Sequence, residues 1–470
     1  MLGEFPVTKV LSFLDADDLL PAILFRTSRK QCDADLVRLM RTEKLLLTPS
    51  EQSKLNGEIH NLIYEYQIEK QVITGHTQYD ALVTTGVGAH HAGQLLIWRL
   101  LLEELMSRGC LKLMIATGTV AAGVDFPARS VVITAHSKRG AEGFRTLSSS
   151  EFQQMSGRAG RRGKDTVGFC FVAPGPFSDA RVIHDVAKRP PEPLRSAYFA
   201  SPSTILNLLK FRSVDDLNFT VQKSLGAFLD SKAAADIRKT AADDEQQLAQ
   251  KQLSPEALKK AEKRIRRKLK EAEEVKGTHA RLLSETLSAL AKLGYVTEEG
   301  SLSEKGFWAA HLCTNLVLQL GEAINDFLIY DLPSEKLVGL VASIAGDPHR
   351  SYLSIRRNPI ERELFEKLAE IVKRVKEAFG ANYSSEIEVV PDAAVTVITW
   401  MESKDWIEYA GLLRLAGVAE GDAARLIMQT AEHLGQISRL YETHAPLATQ
   451  AAEVRRRLLK PPLSDDWVSD

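Results

Sequence analysis

The sequence predicts an α/β domain built on a parallel sheet, followed by a largely helical second half. Three observations point there. Short apolar runs rich in β-branched and aromatic residues, "PAILF", "LKLMIA", "SVVITA" and "TVGFCFV", recur between about Leu20 and Val172. Segments with helical apolar spacing, such as "LLIWRLLLEELMSRG", separate them, and this alternation marks a parallel sheet covered on both faces. After "APGPFSD" the strand signals thin out and helical periodicity takes over.

Composition bounds the function. The chain has 470 residues, 44% of them hydrophobic, which is enough for several globular domains. The formal net charge is -1, so any nucleic-acid site has to be a local groove rather than a polycationic surface. The four cysteines (Cys32, Cys110, Cys170, Cys313) have no CxxC or Cys/His spacing, which argues against a disulfide framework or a zinc site and fits a reducing cytoplasm. The start "MLGEFPVTKVLSFLDADD" lacks the basic and apolar regions of a signal peptide, and no apolar run is long enough to span a bilayer. The expectation is a cytoplasmic protein without a membrane partner.

Further along, "KRPPEPLRS" at 188–196 reads as a proline-rich joint. The charged segment at about 230–277 reads as a long, solvent-exposed helical hairpin. Its second helix opens at Ser254-Pro255-Glu256, a cap residue, a proline at the first helical position and an acid in the first turn. "SETLSALAKLGYVTEEGSLSEKGFWAAHL" reads as helix, tight turn, short β-wing and helix, a winged-helix pattern. In "ERELFEKLAEIVKRVKEAF", Leu364, Leu368, Ile371, Val372, Val375 and Phe379 recur at helical spacing and predict one buried stripe. The expected domains are therefore 1–187, 188–310 and 311–470.

The chemistry lies in four stretches. In "QMSGRAGRRG", Gln154 precedes Gly157-Arg158 and Gly160-Arg161. The glycines permit close backbone approach, and the spacing places both arginines on one helix face, within reach of one set of phosphate oxygens. The plainer alternative is a basic turn that binds a stray anion. In "IATGTVAAGVDFPARSVVI", Thr117 and Thr119 end a strand and offer hydroxyls to a phosphodiester backbone. Gly123 and Asp125 follow on a turn, where the carboxylate suits a ribose hydroxyl; an ordinary β-turn-β is the alternative. "PAILFRTSRKQCDADL" is a strand ending at Arg26, Ser28 and Arg29 before a helix start. In "GVGAHHAG", His90 and His91 are adjacent in extended chain and point to opposite sides, so they do not chelate one metal.

In this order and spacing the four stretches resemble the second RecA-like domain of superfamily 2 helicases, and specifically the Ski-like DExH RNA helicases. "PEPLRSAYFASPSTILNLLKFRSVDDLNFTVQKSLGAF" is similar to that branch's post-motor segment, and "VTVITWMESKDWIEYAGLLRLAGVAEGDAARLIMQTAEHLGQISRL" to its helical DSHCT domain. The resemblance implies that Gln154, Arg158 and Arg161 face ATP phosphates, and that Gly123 and Asp125 meet the nucleotide. It implies that Ser28, Arg29, Thr117, Thr119 and the turn at His91 hold an RNA backbone. "HSKRGAEGFRTLSSS" lies where relatives place a duplex-splitting hairpin, with Lys138, Arg139 and Arg145 as contacts. Arg425, Gln429 and Glu432 match a helix that lines the RNA channel in relatives; a solvated helix face is the alternative.

Some positions depart from the pattern. Gly118 stands where an acidic residue is usual, Asp125 where asparagine is common, and a glycine common after the DSHCT tryptophan is missing near Trp400. The chain contains no GxxxxGK[ST] loop and no DExH box. In the family these sit on the first RecA-like domain and supply the phosphate-binding lysine, the Mg²⁺ ligand and the catalytic acid. The expectation is thus the C-terminal part of an ATP-dependent RNA helicase, inactive alone. It would need ATP, Mg²⁺ and a first RecA-like domain in cis or in trans, with RNA and exosome-type nucleases as partners. A DNA-directed repair helicase and a non-catalytic RNA-binding adaptor are the alternatives.

Overall fold

In the computed structural model, the described residues are 5–41, 46–118, 128–140, 143–194, 196, 201–250, 254–380 and 387–464. Helix α1 (Val7–Ala16) precedes strand β1 (Ala22–Arg26). Helices α2 (Arg29–Met40), α3 (Pro49–Glu65), α4 (Lys70–Thr74) and α5 (Tyr79–Thr85) lead to β2 (Val87–His90). Helix α6 (Leu96–Ser107) then leads to β3 (Leu113–Thr117) and β4 (Ser130–Ile133). A hairpin of β5 (Ser137–Gly140) and β6 (Gly143–Thr146) is followed by α7 (Ser149–Ser156), β7 (Phe169–Val172) and α8 (Ala180–Lys188).

The predicted parallel sheet is present, with strand order β2-β3-β1-β4-β7. All five residues of β1 are buried, as expected for a central strand covered on both faces. Val7, Val10, Leu11 and Leu14 of α1 join Leu36 and Leu39 of α2 in one apolar cluster with Leu24, Leu113 and Ile115 of the sheet. The register pairs Arg26 with Thr117 and His90 with Ala116, so the carboxyl ends of three adjacent strands finish together. Crevices at such strand ends are where open α/β sheets hold ligands.

The remaining helices are α9 (Pro202–Leu209), α10 (Val214–Gln222), α11 (Leu225–Ala249), α12 (Pro255–Lys292), α13 (Glu304–Ala309) and α14 (Val317–Asn325). They continue as α15 (Ser334–Ala345), α16 (Arg362–Phe379), α17 (Pro391–Glu402), α18 (Trp406–Leu415), α19 (Glu420–Ser438) and α20 (Tyr441–Leu458). The chain divides into two compact units. The first holds Met1–Pro193, Glu402–Arg425 and Leu459–Asp470; the second holds Leu194–Met401 and Leu426–Leu458. The first unit therefore exceeds the expected 1–187 by taking in α18 and the opening of α19.

Within the second unit, α11 and α12 form the anticipated hairpin. Ser254 caps α12 through Ala257 N, Pro255 sits in its first turn, and Glu256 follows. The seam is thin, with Ala234 and Ala241 on one helix and Ile265 and Ala272 on the other, each pair seven residues apart. Lys268 and Asp244 pair across it at 2.6 Å. Where the sequence suggested a wing, a single bridge joins Val296 and Leu302 after α12. The α16 stripe runs through Phe365, Leu368, Ile371, Val372 and Val375, while Leu364 and Phe379 are only half-buried. Trp400 is fully buried, with Nε1 donating to Leu458 O at 2.8 Å.

Candidate nucleotide and nucleic-acid sites

Ser148 caps α7 and Glu151 returns the bond to the Ser148 amide. The helix ends at Ser156, so Arg158 and Arg161 are not on a helix face as their spacing predicts; they occupy the turns that follow. The reason lies in the glycines. Gly160 takes φ +91, and the chain there pairs with Ala128, whose N donates to Arg158 O at 2.9 Å and whose O accepts from Gly160 N at 2.7 Å. A Cβ on Gly168 would lie 2.4 Å from Ala159 O, so this crossing needs bare backbone on both sides.

Arg161 is gripped by Asp165. Its Nε and Nη2 donate to the two carboxylate oxygens at 2.8 and 2.9 Å, and its backbone N adds a third bond at 2.8 Å. This charge-assisted fork holds the Asp165 carboxyl down at about 2. Gln154 is exposed on the last turn of α7 and Arg158 is half-buried beside it. Gln154, Arg158 and Arg161 all present N–H donors, so the set fits phosphate oxygens and not a metal ion. Among the described residues no cluster of His, Cys, Asp or Glu is arranged to hold a metal. Thr119, Gly123 and Asp125 lie outside the described residues.

A second constellation stands at the strand ends. Ser28 caps α2, accepting from Gln31 N at 3.2 Å, which leaves its hydroxyl proton free to donate outward. Arg26 is buried and paired with Asp35 at 2.6 Å, so it braces the sheet. The two histidines diverge as predicted: His90 Nε2 meets Glu103 at 2.6 Å, and His91 Nε2 meets Asp33 at 3.0 Å. His91 is buried and its Nδ1 accepts from Gly93 N, so it shapes the turn from inside rather than presenting its ring to a ligand. Thr117 is half-buried at the end of β3.

Sequence reasoning missed the network behind this turn. Asp33 Oδ1 also accepts from Gln78 Nε2 at 2.8 Å and Gln94 Nε2 at 3.3 Å, while His76 Nε2 bonds Gln94 Oε1 at 3.0 Å. His76 stacks on Trp98 at 3.8 Å, and burial lowers its pKa to about 3, so it stays neutral. These residues are far apart in sequence, and no local spacing announces them.

The turn also receives the start of α19. Gly421 N donates to Gly93 O at 3.0 Å, and a Cβ at Gly421 would fall 2.4 Å from Gln94 O. Asp422 pairs with Arg29 at 2.6 Å. Close by, Arg99 is held below the usual guanidinium range by burial, with Arg425 and Arg29 adding to it against Glu103. Its Nε is buried without a hydrogen-bond partner. Three arginines thus lie near one another, one of them with an unused donor, and Asp422 and Glu103 stand among them. Sequence spacing flagged Arg29 and Arg425 but not Arg99.

On the hairpin, Lys138 and Arg145 both turn to Glu151, Arg145 through two bonds at 2.9 and 2.6 Å. Arg139 contributes a described backbone pairing with Phe144. Burial pushes the Glu151 carboxyl up, but Arg145 and Lys138 outweigh it and bring it to about 2 from an ordinary 4.5. A depressed carboxylate stabilises above its unfolded pKa and loses that contribution as pH falls through the folded one. The tie between hairpin and α7 is therefore expected to hold above pH ~4.5 and to weaken toward pH ~2. Hydrogen exchange of the hairpin amides across that window checks it; protection that stays flat would contradict it.

Arg425, Gln429 and Glu432 are all exposed on α19. Arg425 belongs to the first unit and the other two to the second. Gln429 and Glu432 line a cavity of about 330 Å³ with Thr314, Asn315, Asp347 and His433. His433 Nδ1 is 2.9 Å from Thr314 Oγ1, and burial lowers its pKa to about 4.

Comparison with known proteins places these features. Residues 87–163 match the helicase conserved C-terminal domain, and residues 299–464 match the DSHCT (NUC185) domain. The chain is 33% identical over 201 residues to the probable helicase HelY of Mycobacterium tuberculosis (strain ATCC 25618 / H37Rv), covering 43% of this chain and 22% of that protein. It is 30% identical over 246 residues to the exosome RNA helicase MTR4 of Homo sapiens, covering 52% and 23%. With the chloroplastic DExH-box ATP-dependent RNA helicase DExH15 of Arabidopsis thaliana it shares 28% over 280 residues, covering 55% and 23%. The matches thus cover less than a quarter of each of these relatives. The chain corresponds to the C-terminal portion of Ski-like DExH-box helicases, with the helicase conserved C-terminal domain followed by the DSHCT domain.

Proposed function

We propose that the chain is the arginine-donating, RNA-holding part of an ATP-dependent RNA helicase, working with a first RecA-like domain in cis or in trans. The observation that carries this reading is the grouping of Arg29, Arg99 and Arg425 near the strand ends, where Arg99 Nε is buried without a partner and Arg29 is held by Asp422 at 2.6 Å, in the same unit as the Arg158–Arg161 turn. Bound MgATP supplies the phosphoanhydride whose cleavage drives strand movement. Arg158 and Arg161 act on charge developing on its phosphates, Gln154 orients beside them, and Gly123 and Asp125 meet the nucleotide. Arg161 has to exchange Asp165 for phosphate oxygen to do so. The relatives named as RNA helicases favour RNA over DNA, and the one named as an exosome helicase favours nuclease partners.

The strand ends hold the backbone through Ser28, Arg29, Thr117 and Thr119, with Lys138, Arg139 and Arg145 at the hairpin. Within the second unit, Gln429 and Glu432 offer polar contacts of their own to the strand. Such contacts make binding salt-dependent, since neutralised phosphates release counterions. Anisotropy titrations of single-stranded RNA against salt test the reading. Arg425→Ala is expected to weaken binding at low salt and to reduce the log–log salt slope by about 0.7, the value for one single-strand phosphate. An unchanged slope would remove Arg425 from the backbone path. Tighter binding of DNA than of RNA of the same sequence would point to a DNA-directed enzyme.

A further inference from the structure

The helices around the wing carry an aromatic cluster that neither the motor motifs nor the cavity at α19 uses. Lys210, the residue that ends α9, places its ammonium 5.8 Å from the ring centres of both Phe211 and Phe307. Those rings are 83% and 55% exposed. His311 closes the group: its Nε2 is 3.2 Å from Lys210 Nζ, and its ring stands edge-on to Phe307 at 5.9 Å. Burial and Lys210 lower the pKa of His311, so it is a neutral acceptor that fixes the ammonium in place. Two of the three ammonium protons remain for another acceptor.

Large exposed aromatic faces cost solvation unless something covers them, and here a cation sits between two of them. A purely apolar partner would have to bury that ammonium unpaired. A single-stranded nucleic acid matches both features, because every base has a stacking face and every linkage carries a phosphate. The position fits as well. Cys313 and Asn315 line the cavity that holds Gln429 and Glu432, and Asn207, one turn before Lys210, donates to Cys313 Sγ at 3.5 Å. The aromatic cluster therefore adjoins the cavity rim within the same unit.

We propose that Lys210, Phe211, Phe307 and His311 form a stacking platform for the single strand beyond the cavity at Gln429 and Glu432. Bases lie on the two phenyl faces and a linking phosphate faces Lys210. This rests on the reading of the chain as an RNA-holding helicase part.

The test compares two single-stranded RNA oligonucleotides, one of about five residues and one about three times as long. The Phe211→Ala, Phe307→Ala double variant is expected to bind the longer one at least tenfold more weakly, a modest share of what base–aromatic stacking supplies. The short one should bind as before, and Phe211→Tyr with Phe307→Tyr should restore the difference. Both rings are exposed, and an unchanged urea midpoint verifies the fold. Arg425→Ala provides the reference arm and should weaken both lengths. If Arg425→Ala weakens both and the phenylalanine pair weakens neither, the platform is refuted, the RNA path stands, and the patch is left to a protein. If the wild-type chain binds neither oligonucleotide, the RNA-holding reading falls and the platform falls with it.

Discussion

Replacing Arg158 and Arg161 together by alanine is expected to lower RNA-stimulated ATP hydrolysis by about 10³ to 10⁵, measured with a first RecA-like domain supplied. The loss follows from what a guanidinium does at a transferring phosphoryl group. It stabilises charge that grows in the transition state, inside a closed site where water competes poorly. The Gly160–Gly168 crossing and the Ala128 pairing fix the backbone that carries both arginines. Lysine at both positions should rescue little, because a point ammonium cannot reproduce the planar fork. Stability should change far less than turnover. Arg161 is half-buried and pairs with an Asp165 carboxylate that is 5% exposed, so removing it leaves that acceptor short of donors and is expected to cost about 1 to 3 kcal/mol. A fall in turnover of less than about tenfold would remove the pair from the reacting phosphates.

Trp400→Ala is expected to cost about 3 to 5 kcal/mol of stability in the second unit, read as a lower urea midpoint. Trp400 is completely buried on α17, among neighbours such as Val397 and Ile398 that are themselves fully covered. Its removal leaves a cavity and also strips Leu458 O of its indole donor. Trp400→Phe keeps part of the ring volume and loses the indole donor together with a smaller cavity than alanine leaves. It should fall between wild type and alanine. A loss below about 1 kcal/mol for alanine would mean that the site collapses freely around the missing ring. The glycine that is common beside this tryptophan in the family is thus not needed for its burial here.

Four of the five sheet strands were legible as short apolar runs; burial on both faces demands that of β1, β3 and β4, whereas Phe169 and Cys170 of the edge strand β7 are exposed. The edge strand Val87–His90 was not legible, since "VGAH" holds a glycine and a histidine. A Cβ at Gly88 would run into Leu102 of α6, so close helix packing, and not strand propensity, chose the residue. The hairpin of α11 and α12 was readable from its cap and charges, because both are local signals. The arginine turn was readable in its chemistry and misread in its shape: three-residue spacing suggested a helix, and the left-handed Gly160 ended it. The α16 stripe shifted by one residue to Phe365 because adjacent apolar positions compete for one face. The polar network of Asp33, His76, Gln78, His91 and Gln94 was invisible, as were Arg99 and the seat of Gly421. Each depends on contacts between distant segments, which no window of sequence contains.

ATP hydrolysis by the pure, mass-verified chain, alone and mixed with a first RecA-like domain, tests the central claim most directly. The account predicts no hydrolysis above background by the chain alone, with or without RNA. It predicts RNA-stimulated turnover once the domain bearing the phosphate-binding lysine and the DExH box is present. Hydrolysis by the chain alone would contradict it, and so would a mixture that forms a complex on RNA and still hydrolyses nothing.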